Sequence, residues 1–438
     1  MSSLKSLLIE TSKKSKNYKV LIKKKKIIYI SDLIQPNNTH LNQISEGDVV
    51  ALIGDFDKLT IQNFINLIDK KAIIVPLTKE TKKDHKKYLK VSQVDFVVNR
   101  KKVISLKKSK VKRGIIKQIQ KKCPGIIFFS TGTSGEPKAI LHKFPNFIDR
   151  YRYKKNKRFK TLSFLLFDHI GGIHTFLFTL FNGGTLIIPE NRSVDHILTI
   201  CKKYSVEVLP ATPTFLKILL LRKDINKIMP RCIKIITYAT EIMDSNTLLN
   251  LCKKFPKIDF RQKYGMSEIG IFRVISKSRC SNFFRIVDKN FKIKIQKSIL
   301  FIKSKYRMLG YLNSPTGIDK SGWYKTNDLV EKKGKFIKII GRNDKVINVG
   351  GLKVLPAFIE EKINSFDNVL HCQVYGRPNP FTGQHVEAII EPKNFKKFNL
   401  TKLNNFIKKN LQSYMRPQKV ELKKVKISHR QKKIFYAH

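Results

Sequence analysis

FFSTGTSGEPKAI, running from Phe128 to Ile140, is the stretch whose reading decides the fold. An apolar run ends in the hydroxyl residues Ser130, Thr131, Thr133 and Ser134, with Gly132 and Gly135 among them and Lys138 just past Pro137. Side-chain hydroxyls, backbone N–H groups exposed at glycines and one lysine are the usual means of holding a phosphate. The stretch is not a Walker loop, because no Gly-Lys-Ser/Thr is present. A Ser/Thr/Gly loop between two strands also occurs without any ligand, so its surroundings must decide.

Outward from this loop the chain alternates strands and helices. VVALIGDF (Val49–Phe56) reads as a buried strand, followed by a helix to about Lys71 and a second strand in AIIVPL. FVVN (Phe96–Asn99), TLIIP (Thr185–Pro189), VEVLPATP (Val206–Pro213) and CIKIITYATE (Cys232–Glu241) repeat the strand pattern. Lys107 to Lys122 reads as a solvated helix face. Short strands dominate from Phe284 to Ile302, and after Gly341 the pattern becomes a smaller α+β unit of roughly 97 residues. Such alternation predicts α/β layers, here a large N-terminal domain of stacked α/β subdomains with a β-rich subdomain. The expected division is 1–341 and 342–438.

Composition narrows the function classes. At 438 residues the chain exceeds one ordinary core, and its 42% apolar content is that of a globular protein. The net charge of +56 suggests nucleic acid or an anionic surface. The lysines, however, are spread along the whole chain and far outnumber the arginines, whereas base readers and phosphate clamps favour clustered Arg. We therefore expect no specific nucleic-acid partner. Six cysteines without a C-x-x-C pair read as separate reduced thiols of a cytoplasmic protein. The apolar stretch Leu162–Ile188 contains Asp168, His169 and several glycines, so it reads as strand, turn and core helix rather than a membrane span.

Four further stretches accompany the first: RQKYGMSEIG (Arg261–Gly270), GWYKTNDLV (Gly322–Val330), IIGRNDKVINVGG (Ile339–Gly351) and RQKKI (Arg430–Ile434). In this order and at this spacing the five resemble the adenylate-forming superfamily of acyl-CoA synthetases, non-ribosomal adenylation domains and firefly luciferase. The resemblance runs from Val49 to about Ile434. GDVVALIGDF, ITYATEIM and YGMSEIG look most like acyl-CoA ligase-like members. It implies an AMP-forming acid–thiol ligase using ATP, Mg²⁺ and coenzyme A, or a carrier-protein phosphopantetheine supplied in trans. Such an enzyme crowds negative charge at one site, so it needs phosphate donors, a cation and aligned reactants.

The resemblance also implies residue roles. Ser130 to Gly135 and Lys138 form the phosphate loop. Tyr264, beside Gly265, lies against adenine; Ser267 keeps a hydroxyl near the α-phosphate; Glu268 holds Mg²⁺. Glu241 joins the nucleotide site. Asp328 receives the two ribose hydroxyls, with Asn327 in place of a usual glycine, and Arg342 contacts ribose and phosphate. Asp344 is the hinge about which a mobile C-terminal domain swings. Gly350 and Gly351 wall a thiol tunnel. Lys433 is the catalytic lysine, with Lys432 the alternative register. In DHIGGIH (Asp168–His174), His169 gates the acyl pocket or is a satisfied core histidine; at a spacing of five, His169 and His174 are not read as a metal pair. A chain keeping the fold without turnover, or one binding nucleic acid, is the reading from another class.

Overall fold

A computed structural model describes residues 4–15, 18–35, 39–106, 114–120, 122–131, 137–151, 158–428 and 433. Among the described residues two seven-stranded sheets form the large N-terminal part. In the first, Asp259–Gln262, Ile235–Tyr238, Val208–Ala211, Lys160–Leu162, Thr185–Ile188 and Lys19–Lys23 run parallel in that spatial order, and Lys26–Tyr29 pairs antiparallel at the edge. In the second, Val49–Ile53, Ile73–Leu77, Phe96–Asn99 and Gly125–Thr131 are parallel, flanked by antiparallel strands. Buried on both faces, VVALI and IIVPL carry continuous apolar runs rather than alternation.

The two sheets share one core. The helices Lys58–Asp69 and Ile170–Phe181 pack with apolar side chains from both, and Phe167 sets its ring edge-on to Phe56 and Phe64 at 5.4 and 5.5 Å. Asp57 caps the first of these helices by accepting from the Thr60 amide at 3.0 Å. Leu162–Ile188 is the expected strand, turn and core helix, and no described helix is long and apolar enough to cross a membrane.

A six-stranded antiparallel sheet between Val274 and Arg342 has its own core around Phe272, Phe291, Leu300 and Ile302. The last sheet is built from strands between Ile347 and Leu422 and is packed by the helices Pro356–Asn364 and Leu400–Asn410. The mixed α/β class is as expected from the sequence. Three readings need correction. The helix Leu4–Ser15 and strands Lys19–Lys23 and Lys26–Tyr29 precede the first strand recognised in the sequence, and complete a sheet whose other strands lie beyond residue 159. Gly114–Gln118 is a short 3₁₀ turn, and residues 107–113 lie outside the described residues. Cys252 and Cys280 are joined as a disulfide across 28 residues rather than lying apart as separate thiols. Their 6.0 Å Cα separation is set when the helix Ser245–Lys254 packs beside the loop carrying Cys280.

Candidate active site

The five quoted stretches converge on one cleft. Lining it are Ser130 and Lys138, His169, Glu241, the run Tyr264–Glu268, Asp328, Arg342, Asp344 and Lys433. Ser130 and Lys138 are direct partners on adjacent antiparallel strands, so they frame the phosphate-like loop from both sides. Thr131 ends the first strand. Its side chain, and Gly132, Thr133, Ser134 and Gly135, lie outside the described residues. Asn313 pins the second strand, accepting from the Ala139 amide at 3.0 Å and donating to the Pro137 carbonyl at 2.9 Å.

Tyr264–Met266 pairs with Gly270–Phe272 in a tight hairpin. A Cβ on Gly265 would meet the Gly270 carbonyl oxygen at 2.5 Å, so backbone crowding explains the glycine. Tyr264 packs on Phe272 and Phe284 and donates its hydroxyl to Asp328 Oδ2 at 2.5 Å. Asp328 is 6% exposed, and Arg342 Nη1 lies 3.5 Å from its Oδ1. Burial pushes the Asp328 carboxyl above the ordinary range, and Tyr264 and Arg342 oppose that rise. Arg342 also binds Asp344 bidentately, at 2.9 and 3.2 Å. Asp328, Arg342 and the proposed hinge residue thus form one charged chain. Asn327 adopts φ +61°, the conformation anticipated for an asparagine standing where glycine is usual.

Glu268 accepts the Tyr311 hydroxyl at 2.9 Å, and Tyr311 bonds Tyr324 at 3.1 Å. Burial raises the Glu268 carboxyl, while Tyr311, Arg342 and Lys138 draw it back. Lys138 lies over the Tyr311 ring at 5.2 Å. Beneath this turn, buried His142 donates Nε2–H to the Ser267 carbonyl at 2.7 Å. Tyr311 and His142 belong to none of the quoted stretches, and Tyr324 lies in GWYKTNDLV without a role assigned to it. No sequence signal marks them, because they reach the site through strands paired across the fold.

A magnesium site built from these residues would hold the ion by one carboxylate, Glu268, with substrate phosphates supplying other oxygens. That is how Mg²⁺ commonly binds, and no group of three or more His, Cys, Asp or Glu poised for a metal occurs among the described residues.

Other assigned residues have structural partners here. His169 caps the helix Ile170–Phe181, accepting from the Gly171 amide on Nδ1 at 2.9 Å, while its side of the helix lines the cleft. His174 bonds the Tyr151 hydroxyl at 2.6 Å. Glu241 accepts from the Thr214 amide and hydroxyl at 3.1 and 2.9 Å and from the Lys433 amide at 3.0 Å. The Lys433 ammonium donates to the Cys372 carbonyl at 3.1 Å. Burial alone would lower its pKa, but Glu360 and Glu241 hold it above the usual lysine value. Lys432 lies outside the described residues. Gly350 and Gly351, at φ +57° and +88°, form the two-residue turn between Ile347–Val349 and Leu352–Val354. Neither is among the residues lining the cleft.

The last sheet's unit touches the large part near Lys433. Ser245 donates to Glu361 at 2.7 Å, and Lys217 donates to Asn364 at 2.9 Å. Burial pushes the Lys217 ammonium down to about 8.

Residues 47–288 match the family described as AMP-binding enzyme, and residues 359–431 match the AMP-binding enzyme C-terminal domain. A 4-coumarate–CoA ligase-like protein of Arabidopsis thaliana is 23% identical over 334 residues, which are 69% of this chain and 59% of that protein. The chain spans about three fifths of the length of the curated relatives it matches. Among solved structures, an anthranilate CoA ligase bound to anthranoyl-AMP superposes with TM-score 0.82 at 14% identity, covering 99% of this chain and 95% of that one. The o-succinylbenzoate coenzyme A synthetase of Bacillus subtilis, bound to ATP and magnesium, gives 0.77 at 17%, covering 97% of each. At such identities the likeness concerns the fold. The family matches take in both the segment carrying the phosphate-like loop and YGMSE and the segment ending beside Lys433, so the chain belongs to the AMP-binding enzyme family.

Proposed function

We propose that the protein is an AMP-forming acid–thiol ligase that joins a carboxylic acid to coenzyme A. One observation carries the reading: buried Asp328 and half-buried Glu268, two carboxylates with separate partners, open with Lys138 and Arg342 onto a single cleft. One carboxylate suits a cation on phosphates, and the other suits the paired hydroxyls of a ribose.

In the first step a carboxylate oxygen of the acid attacks the α-phosphorus of ATP. The bond from that phosphorus to the β-phosphate bridge breaks, giving acyl-AMP and pyrophosphate. Lys138 and the Ser130–Gly135 loop hold the departing phosphates, Ser267 lies toward the α-phosphate, and Lys433 reaches it on leaving the Cys372 carbonyl. Tyr264 borders adenine. Glu268 would hold Mg²⁺, which would supply positive charge against the phosphates. In the second step a thiol sulfur attacks the acyl carbonyl, AMP leaves with its electron pair, and the thiol proton passes to solvent. The assignment places 1–341 in the adenylation domain and 342–438 in a mobile domain turning at Asp344, with Gly350 and Gly351 beside the entering thiol. The similarity to CoA ligases supports coenzyme A over a carrier protein as acceptor.

Incubation with a panel of acids, ATP, Mg²⁺ and coenzyme A should yield AMP and an acyl-CoA by mass spectrometry. AMP that appears only when an acyl carrier protein is supplied would move the acceptor assignment to the carrier. ADP as the nucleotide product would rule out adenylation.

A further inference from the structure

The part of the cleft bordered by the helix Ile170–Phe181 carries two cations, Arg150 and Lys263, with no ion pair to a carboxylate among the described residues. Arg150 follows the helix Phe144–Asp149, and Lys263 ends the loop after Asp259–Gln262, its amide bonded to the Tyr238 carbonyl at 2.8 Å. Both line the cleft with His174, Thr175 and Phe178 of the helix that DHIGGIH opens. Among the described residues neither cation forms an ion pair with a carboxylate. The nearby Asp149 carboxylate is engaged by Lys305 at 2.8 Å. Arg150 instead lies over the faces of Tyr306 and Tyr151, at 5.0 and 5.8 Å. Its Nη1 would stand 3.0 Å from a Cβ built on Gly270.

The cations that bear on the two nucleotide-site carboxylates are other ones. Glu268 feels Arg342 and Lys138, and Asp328 feels Arg342 and Asp344. Lys263 feels burial first, then Arg261, Arg273 and Arg150, and its ammonium is pushed down to about 8. His174 is held neutral, well below its usual pKa, by burial and then by Arg150 and Lys263. A surface lysine in so basic a chain would need no explanation. A half-buried ammonium repelled by the charges of Arg261, Arg273 and Arg150 does, because partly desolvating a charge without an ion pair is costly and like charges add to it. A ligand anion would offset both.

We propose that the acid substrate carries a second anionic group, and that Lys263 and Arg150 bind it while the reacting carboxylate faces the nucleotide. The inference rests on the adenylation reading above. Phe178, 46% exposed into the cleft, provides apolar surface for the carbon skeleton between the two anionic groups.

The test is ATP–pyrophosphate exchange with length-matched pairs: hexanoate and adipate, octanoate and suberate, benzoate and isophthalate. The wild-type protein should prefer the diacid of at least one pair by tenfold or more in kcat/KM. Lys263→Met should abolish that preference chiefly by raising KM for the diacid, with monoacid exchange unchanged or improved. Lys263→Arg should retain most of it, and melting curves of both variants should match wild type. A wild-type protein that handles each monoacid as well as its diacid overturns the inference and leaves adenylation standing. Exchange with no acid of either kind sinks the adenylation reading, and the inference with it.

Discussion

At the scale of single residues, the least constrained assignment is Lys433. Its amide already meets Glu241, but its ammonium is engaged by the Cys372 carbonyl and Glu360. Only after leaving that contact can a compact, mobile charge orient a carboxylate against a phosphate. Lys433→Ala should therefore slow acyl-AMP formation by roughly 10²-fold, the scale of losing one positioned charge. Thiolysis of added acyl-AMP should be nearly unchanged. Lys432→Ala, assayed beside it, should be mild; a loss confined to Lys432→Ala would shift the register by one. A second residue-level expectation concerns His142, whose imidazole is pushed down to about 4 by burial. The unfolded chain takes up that proton near pH 6.5 and the folded chain only near 4, so the contribution of neutral His142 is present above 6.5 and is lost as pH falls toward 4. Compared with His142→Gln, which keeps a donor toward the Ser267 carbonyl, the wild-type protein should lose about 3 kcal/mol between pH 7 and 4. Denaturant midpoints of the two chains across that range check it, and a pH-independent difference would contradict it. Some residue detail was legible beforehand: Asn327 was expected to tolerate positive φ and has +61°. The Glu268–Tyr311 and His142–Ser267 bonds were not legible, because their partners stand 43 and 125 residues apart and meet only through sheet pairing.

At the scale of elements, apolar runs were the reliable guide. VVALI, IIVPL and FVVN are strands where the text of the chain suggested strands, since a parallel sheet covered on both faces demands unbroken apolar sequence. The N-terminal helix and its two strands escaped notice because KVLIKKKKIIY mixes charge into short apolar runs at a sheet edge, where one side meets water. The helix Ile170–Phe181, which DHIGGIH opens, shows how tightly one element is seated. A Cβ on Gly172 would come within 1.9 Å of the Leu166 carbonyl oxygen, a backbone atom that cannot rotate away. Gly172→Ala should therefore destabilise the protein by several kcal/mol and distort the turn that presents His169. Gly351→Ala should be milder, since no atom lies within 4 Å of its Cβ and only the φ of +88° opposes the substitution. Paired melting curves test this ordering, and equal losses would contradict it.

At the scale of the whole molecule, the account turns on one cleft serving two reactions. Contacts from Lys217 to Asn364 and from Ser245 to Glu361 hold the last sheet's unit against the large part in the pose described. Lys338 adds an ion pair to Glu361 at 3.7 Å, and polar contacts of this kind would suit the domain motion proposed above. Asp344→Pro removes the carboxylate that clasps Arg342 and restricts the backbone beside it, so thiolysis should suffer more than adenylation. Asp344→Ala separates the two effects, and equal losses in both half-reactions would argue against a hinge. The order of motifs made the family and the mixed α/β class legible in the sequence, while the cations beside the helix Ile170–Phe181 gave no sign in a chain so rich in lysine. The central claim is that a carboxylate oxygen attacks the α-phosphorus of ATP. Using whichever acid supports the fastest exchange, labelled with ¹⁸O in its carboxyl group, the AMP released should carry one ¹⁸O in its phosphate. Unlabelled AMP, or label in inorganic phosphate accompanied by ADP, would contradict it.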